Sequence, residues 1–180
     1  MRGGIPIQNW HVIQVLGGKE DKIIDKVNLT EECLAFTPKR VKLLRSEGKT
    51  IKISEILFKG YVILETDLNY IDFKKFLFKY VKPLQGFVRL LEHDRVGTES
   101  ILPQERKFIE QYTNHERVIE PSIGFIQGDK VIITEGPLIG HESDIKRIDR
   151  HKRTAELELS MFGRSQTIHV SCEIISKTSS

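Results

Sequence analysis

Residues 146–153 read KRIDRHKR, placing Lys146, Arg147, Arg150, His151, Lys152 and Arg153 together with a single acid, Asp149. Cations at that density neutralise phosphates and release counterions, the usual source of affinity for nucleic acid. Arginine adds a planar fork that reads a guanine edge or stacks on an unpaired base. A solvated charged turn, offset by Glu156 and Glu158 just beyond it, accounts for the same residues without a ligand. The whole chain of 180 residues carries a net charge of only +3. Between Asp129 and Ser180, eight Lys or Arg meet eight Asp or Glu, so affinity there must come from local geometry, not from total charge. A second candidate is His141-Glu142-Ser143-Asp144, which gathers the side chains of a metal or nucleophile site in four residues. Its flanking Gly140 favours a plain polar loop. There is no P-loop, GxGxxG, HExxH or metal-spaced Cys/His set. We therefore expect no catalytic residue, no metal, no cofactor and no enzymatic activity. Cys33 and Cys172 are far apart and outside any CxxC pair, and read as small buried apolar residues in a reducing, cytoplasmic compartment.

The elements that position these residues follow from periodicity. Trp10 to Leu16 is apolar on both faces, as in a central strand covered on two sides. Gly17-Gly18 breaks it, and Ile23, Ile24 and Val27 mark a helix over Lys19–Leu29. Cys33 to Lys42 reads as a strand interrupted by Pro38, and Arg45 to Lys52 as an exposed hairpin or loop. Ile56 to Thr66, interrupted at Gly60, is the strongest strand. Asp67 or Asn69 then caps a helix with the stripe Ile71, Phe73, Phe76, Leu77 and Tyr80, ended by Pro83. A strand over Gly86–Leu91 and a helix over Pro103–Tyr112, with Phe108 and Ile109 inward, complete the order β-α-β-β-α-β-α. That order predicts an α+β fold whose first part is a ferredoxin-like α/β sandwich.

Periodicity fades after Tyr112, and residues 113–124, with Pro121, Ser122 and Gly124, read as a linker. Beyond it come short strands. Thr154 to Met161 alternates cleanly, Gly163 turns the chain, and Ile168, Val170, Cys172 and Ile174 repeat the pattern. Several strands in so short a stretch predict a small all-β barrel, which removes exposed edges. No apolar run nears the roughly 20 residues of a membrane span. The start, Met1 to Asn9, lacks the long apolar core of a secretory signal. The expected organisation is a domain over 1–112, a linker over 113–124 and a barrel over 125–180.

Trp10-His11-Val12-Ile13-Gln14, then Gly18 and Glu20, then Phe58-Lys59-Gly60-Tyr61-Val62 resemble the N-terminal domain of the NusG family. There the usual strings are W-Y-V-V-Q, G-x-E and F-P-G-Y-V. Gly128-Asp129-Lys130-Val131, Gly136-Pro137, Gly140 and Phe162-Gly163-Arg164 resemble that family's C-terminal KOW domain. Lys59 replaces the usual Pro, and Ser143 stands where a second Gly is normal. Within the family, the basic string is most similar to specialised paralogues such as the antiterminator LoaP.

The resemblance implies a non-enzymatic transcription elongation factor acting as a processive antiterminator, expected to be monomeric. It places Phe58, Tyr61, Phe87 and Val88 around a pocket for the clamp helices of RNA polymerase; without it, these read as ordinary core residues. It also favours structured nascent RNA as the ligand of the basic string, with Arg164 extending the same rim. Phe162 corresponds to a surface that, in general NusG proteins, docks a small-subunit ribosomal protein or Rho. An exposed Phe162 favours such a protein partner, and a buried one weakens that idea. The alternatives are a general elongation factor of that kind, or a ribosome-associated RNA-binding protein.

Overall fold

β1 (Asn9–Val15) is the strand on which the first half of the chain is assembled. It is followed by α1 (Glu20–Val27), β2 (Cys33–Phe36), β3 (Lys39–Ser46), β4 (Lys49–Ile56), β5 (Tyr61–Thr66), α2 (Tyr70–Phe76) and β6 (Phe87–Leu90). Then come α3 (Pro103–Tyr112), β7 (Val118–Ile119), β8 (Ser122–Gln127), β9 (Lys130–Glu135), β10 (Ile145–Asp149), β11 (Thr154–Met161) and β12 (Arg164–Thr178). The computed structural model describes residues 9–91 and 101–178. The expectation about Met1 to Asn9 lies outside these, Asn9 excepted. Among the described residues no helix is long and apolar enough to cross a membrane.

Internal contacts divide the chain into two compact units, with breaks after Thr37, Leu57 and Pro103. The first unit carries a four-stranded sheet in the order β2-β5-β1-β6, with every neighbouring pair antiparallel. With α1 between β1 and β2, and α2 between β5 and β6, this is the split β-α-β arrangement of a ferredoxin-like sandwich. One face of the sheet presents Ile13, Val15, Val62 and Leu64 to Ile23, Val27, Phe73, Phe76 and Val81 of the helical layer. The other face carries Trp10, Val12 and Ile63, also buried, with Phe36 edge-on to Trp10 at 5.2 Å. Full burial of each such side chain contributes about 1.5–3 kcal/mol.

Asn69 caps α2, its side chain accepting the Asp72 amide at 3.0 Å. The expected stripe of this helix holds at Phe73, Phe76 and Leu77 but not at its ends. Residues Leu77–Val81 form a π turn, in which the Lys82 amide reaches back five residues to the Leu77 carbonyl. That extra residue per turn moves burial from Tyr80 to Val81, leaving Tyr80 38% exposed, while Ile71 faces solvent in the first turn.

In the second unit, β4-β3-β7 form one sheet and β10-β11-β12-β8-β9 another. Two long strands expected from the sequence are each divided. Pro38 ends β2, and β3 pairs instead with β4 over eight residue pairs. Phe58-Lys59-Gly60 is a turn between β4 and β5, which belong to different units. The stretch 45–52 is the end of the β3–β4 hairpin, turning on Glu47 and Gly48 with φ of 50° and 77°.

Residues 113–124, expected to be a linker, carry β7 and the start of β8. Asn114 Oδ1 accepts the amides of Glu116 and Val118, β7 pairs parallel with β3, and β8 pairs parallel with β12. Gly136, at φ +92°, passes so near this chain that a Cβ there would lie 2.5 Å from the Pro121 carbonyl oxygen. Buried Ile133, Leu138, Ala155, Leu157, Met161, Ile168, Val170 and Cys172 make the core of the five-stranded sheet.

Candidate nucleic-acid interface

The basic string occupies β10 and the turn to β11, and the structure sorts its cations into four groups. Asp149 Oδ1 accepts the Lys152 amide at 2.9 Å, fixing the turn; this bond holds the Asp149 carboxyl below its ordinary range. Arg150, His151 and Lys152 project from it, all exposed. Lys152 Nζ is 4.0 Å from Asp149, and Arg150 makes no ion pair among the described residues. Arg147, on the strand, lies 3.8 Å from Glu156, which also faces His169 at 3.8 Å.

Arg153 is committed internally. At φ +53° it points its guanidinium to Glu173 at 3.6 Å and donates to Thr50 Oγ1 at 3.3 Å, leaving its side chain 13% exposed. Lys146 lines a separate cavity with Phe108, Tyr112 and Leu157.

Arg164 does not join this rim. In the β11–β12 ladder Thr154 pairs with Ser171 at one end and Met161 pairs with Arg164 at the other. Seven residues of strand separate the two ends, roughly 20 Å.

A second wall that the sequence did not disclose comes from β3. Ser171 Oγ donates to the Val41 carbonyl at 2.7 Å, and Arg40 donates to the His169 carbonyl. These bonds and the Arg153–Thr50 bond hold the β3–β4 hairpin beside β12. Between hairpin and turn run two clefts, of about 410 and 330 Å³, which share Leu43, Arg45, His151 and Lys152. Arg40 and Lys42 both reach Glu55 at 3.3 Å. Partial burial pushes the Glu55 carboxyl up, but the two cations outweigh it and hold the pKa below the ordinary value.

The His141–Asp144 loop is structural. Tyr112 donates to Asp144, Gln111 contacts His141 at 3.1 Å, and the Glu142 carboxylate accepts the Ile133 amide at 3.1 Å. Burial raises the Tyr112 pKa, and the Asp144 carboxylate raises it further. These contacts fasten the C-terminal end of α3. Near its start, buried Glu105 accepts the Phe162 amide at 2.6 Å. Among the described residues no group of His, Cys, Asp or Glu is placed to hold a metal.

On the first unit, the residues around the end of β1 form a partly apolar surface. Val15 and Leu16 donate their amides to the carbonyls of Gly60 and Gly86, both at 2.8 Å. Tyr61 and Arg89 pair with Gln14 from opposite sides, Arg89 donating to its side chain at 2.9 Å. A register shift after Gln14 brings Phe87 opposite Val15. Tyr61 and Phe87 are half-buried, while Val88 and Leu16 are 46% and 57% exposed. Buried Glu20 accepts the Gly60 amide at 2.7 Å, so α1 fixes the turn that presents Tyr61.

No family model matches the chain. It is 25% identical over 183 aligned residues to the transcription termination/antitermination protein NusG of Staphylococcus carnosus, covering 94% of this chain and 96% of that protein. NusG of Halalkalibacterium halodurans is 24% identical, over 94% of this chain and 98% of its own. For NusG of Helicobacter pylori strain J99 the identity is 23%, with 91% and 95% covered. The chain is similar to NusG over nearly its whole length. A solved structure concerned with domain interaction in Thermotoga maritima NusG is 17% identical, with a TM-score of 0.45, covering 91% of this chain and 93% of that one.

The NusG-like strings meet in space: the Glu20–Gly60 bond joins the one after β1 to the one before β5. Of the residues expected to face polymerase, Tyr61, Phe87 and Val88 flank the end of β1, but Phe58 is 3% exposed and offers no surface. Leu16 is the exposed neighbour that pattern reading assigned to the strand interior. Phe162 is also buried, at 7% exposure, with its amide tied to Glu105. That burial weakens the reading of Phe162 as a docking residue. Its φ of +56° belongs to a two-residue hairpin turn with Gly163.

Proposed function

We propose that this chain is a NusG-type transcription factor that binds RNA polymerase and alters elongation without chemistry of its own. The observation that carries this reading is the similarity to NusG proteins along both full lengths. The polymerase contact falls to Tyr61, Phe87, Val88 and Leu16, where exposed Val88 and Leu16 and half-buried Tyr61 and Phe87 surround a sheet end suited to anchoring a helix tip. Bound there, the protein favours the elongating state and disfavours pausing.

The narrower reading is processive antitermination of the LoaP kind, with structured nascent RNA held by the basic string. Arg150, His151 and Lys152 support it, because they are exposed and fixed on one turn. Arg153 contributes to the turn's shape, not to its charge. A factor docked to ribosomal protein or Rho through Phe162 has less support, since that side chain is buried. The protein is read as a cytoplasmic monomer.

Capture of bacterial RNA polymerase by the full chain tests the main reading. Leu16→Glu with Val88→Glu should weaken capture at least about tenfold, as expected for loss of an apolar anchor. Full capture by that variant, or none by the unaltered folded chain, would refute the assignment. In a transcription assay the protein should change readthrough without consuming nucleotide.

A further inference from the structure

The sequence puts the basic string at the edge of a small β domain, yet the turn faces a wall built by residues about a hundred positions earlier. Arg45 lies on β3, paired across the hairpin with Thr50. Thr50 in turn accepts a hydrogen bond from Arg153, so Arg45 stands level with the 150–153 turn. Arg45 is exposed and makes no ion pair among the described residues, and it borders both clefts with His151 and Lys152. The floor between them includes half-buried Leu43. Arg40 and Lys42 at the far end are offset by Glu55, and Arg153 by Glu173. The uncompensated charge therefore concentrates midway, on Arg45 and Arg150, beside Lys152, which is only loosely paired with Asp149 at 4.0 Å.

We propose that RNA lies in this cleft, gripped from both sides, and that the β3–β4 hairpin is a necessary half of the site. The inference rests on the RNA reading above and refines it. A trough with cations on opposite walls and an apolar floor suits a phosphate backbone passing lengthwise, since each wall meets a different run of phosphates. A cationic turn alone would touch one side of a strand. The cleft linings hold no Phe, Tyr or Trp, only the imidazoles of His151 and His169, which points to a grip chiefly on the backbone. It follows that residues 125–180 alone, without the hairpin, hold only half of the site.

The test is a titration of the full chain with a sequence-randomised pool of stem-loop RNA, followed by anisotropy across a range of salt. Arg45→Ala should weaken binding as much as Arg150→Ala, each on the order of five- to eightfold near 100 mM salt, the worth of one phosphate contact. Each should lower the slope of log affinity against log salt by about one. Arg164→Ala, at the other end of the β11–β12 hairpin, should change neither. All three side chains are exposed, so the variants should keep the unaltered chain's circular dichroism and melting. If Arg150→Ala weakens binding and Arg45→Ala does not, the two-walled site is wrong and the RNA reading survives. If the unaltered chain binds no RNA, or binds polyglutamate as tightly, the RNA reading itself falls and the cleft is a seat for an acidic protein.

Discussion

His11 supplies a test of the first unit that can be worked to a number. It stands where the NusG strings carry Tyr, is 2% exposed, and stacks on Phe73 with ring centroids 3.7 Å apart and planes 10° apart. Neither ring nitrogen has a hydrogen-bond partner among the described residues. Burial, assisted by the Lys74 charge, lowers the pKa from 6.5 to about 4. The folded value lies below the unfolded one, so on acidification the unfolded chain takes up the proton first. The stabilising contribution of neutral His11 is thus present above about pH 6.5, and is lost as pH falls from there towards 4. Between pH 7 and pH 5 the loss is about 2 kcal/mol, and over the whole window about 3. Trp10, the sole tryptophan and itself buried, reports unfolding of the same unit in denaturant titrations. His11→Phe should match the unaltered chain within about 1 kcal/mol at pH 7, because it removes two unsatisfied polar atoms and keeps the stack. It should then overtake the unaltered chain by about 2 kcal/mol at pH 5. Carboxylates titrate in both proteins and cancel in the difference. Parallel loss of stability in the two would refute a buried neutral His11, and His11→Leu repeats the comparison if Phe is too large.

Glu105→Ala should cost about 1–3 kcal/mol by leaving the buried Phe162 amide without its acceptor, and Glu105→Gln should recover much of it, as read by chemical denaturation. Gly136→Ala should destabilise by more than about 1 kcal/mol, because its Cβ would fall 2.7 Å from Ser122 Cα at a positive φ; a neutral melting shift would contradict that path. Cys33 and Cys172 are buried, and burial pushes both thiols up to about 11. A thiol reagent at pH 8 should therefore modify neither until denaturant is added.

Much of the fold was legible because local pattern and tertiary role agree. β1 reads as covered on both faces and is; the alternation from Thr154 to Met161 has Ala155, Leu157 and Met161 buried. The failures share a cause. Pro38 and the Phe58–Gly60 turn each look like a flaw within one strand, whereas each is a place where the chain leaves one sheet for another. Apolar pattern records that a residue is buried, not which partner strand buries it. The π turn in 77–81 was invisible for a related reason, as a one-residue slip in a stripe looks like ordinary irregularity. Ser122 and Gly124 looked like linker residues through their small size. That size is what the fold uses, since a Cβ at Gly124 would lie 2.4 Å from the Ile132 carbonyl oxygen.

The candidate interface was half legible, and the missing half was not a matter of residue type. Arg45 sits in a stretch that reads as a charged exposed hairpin, which it is. What brings it to the proposed cleft is the set of bonds from Ser171 to Val41, from Arg40 to His169 and from Arg153 to Thr50, each spanning more than a hundred residues. Conversely, Arg153 within the string and Arg164 beside the Gly163 turn both read as parts of one basic rim, and structure separates them. The first turns inward to hold the hairpin, and the second is carried away by the length of β11. Counting cations along the chain overstates the site in one place and understates it in another. Charge acts through space over about a Debye length, roughly 8–10 Å, so only folding decides which cations add.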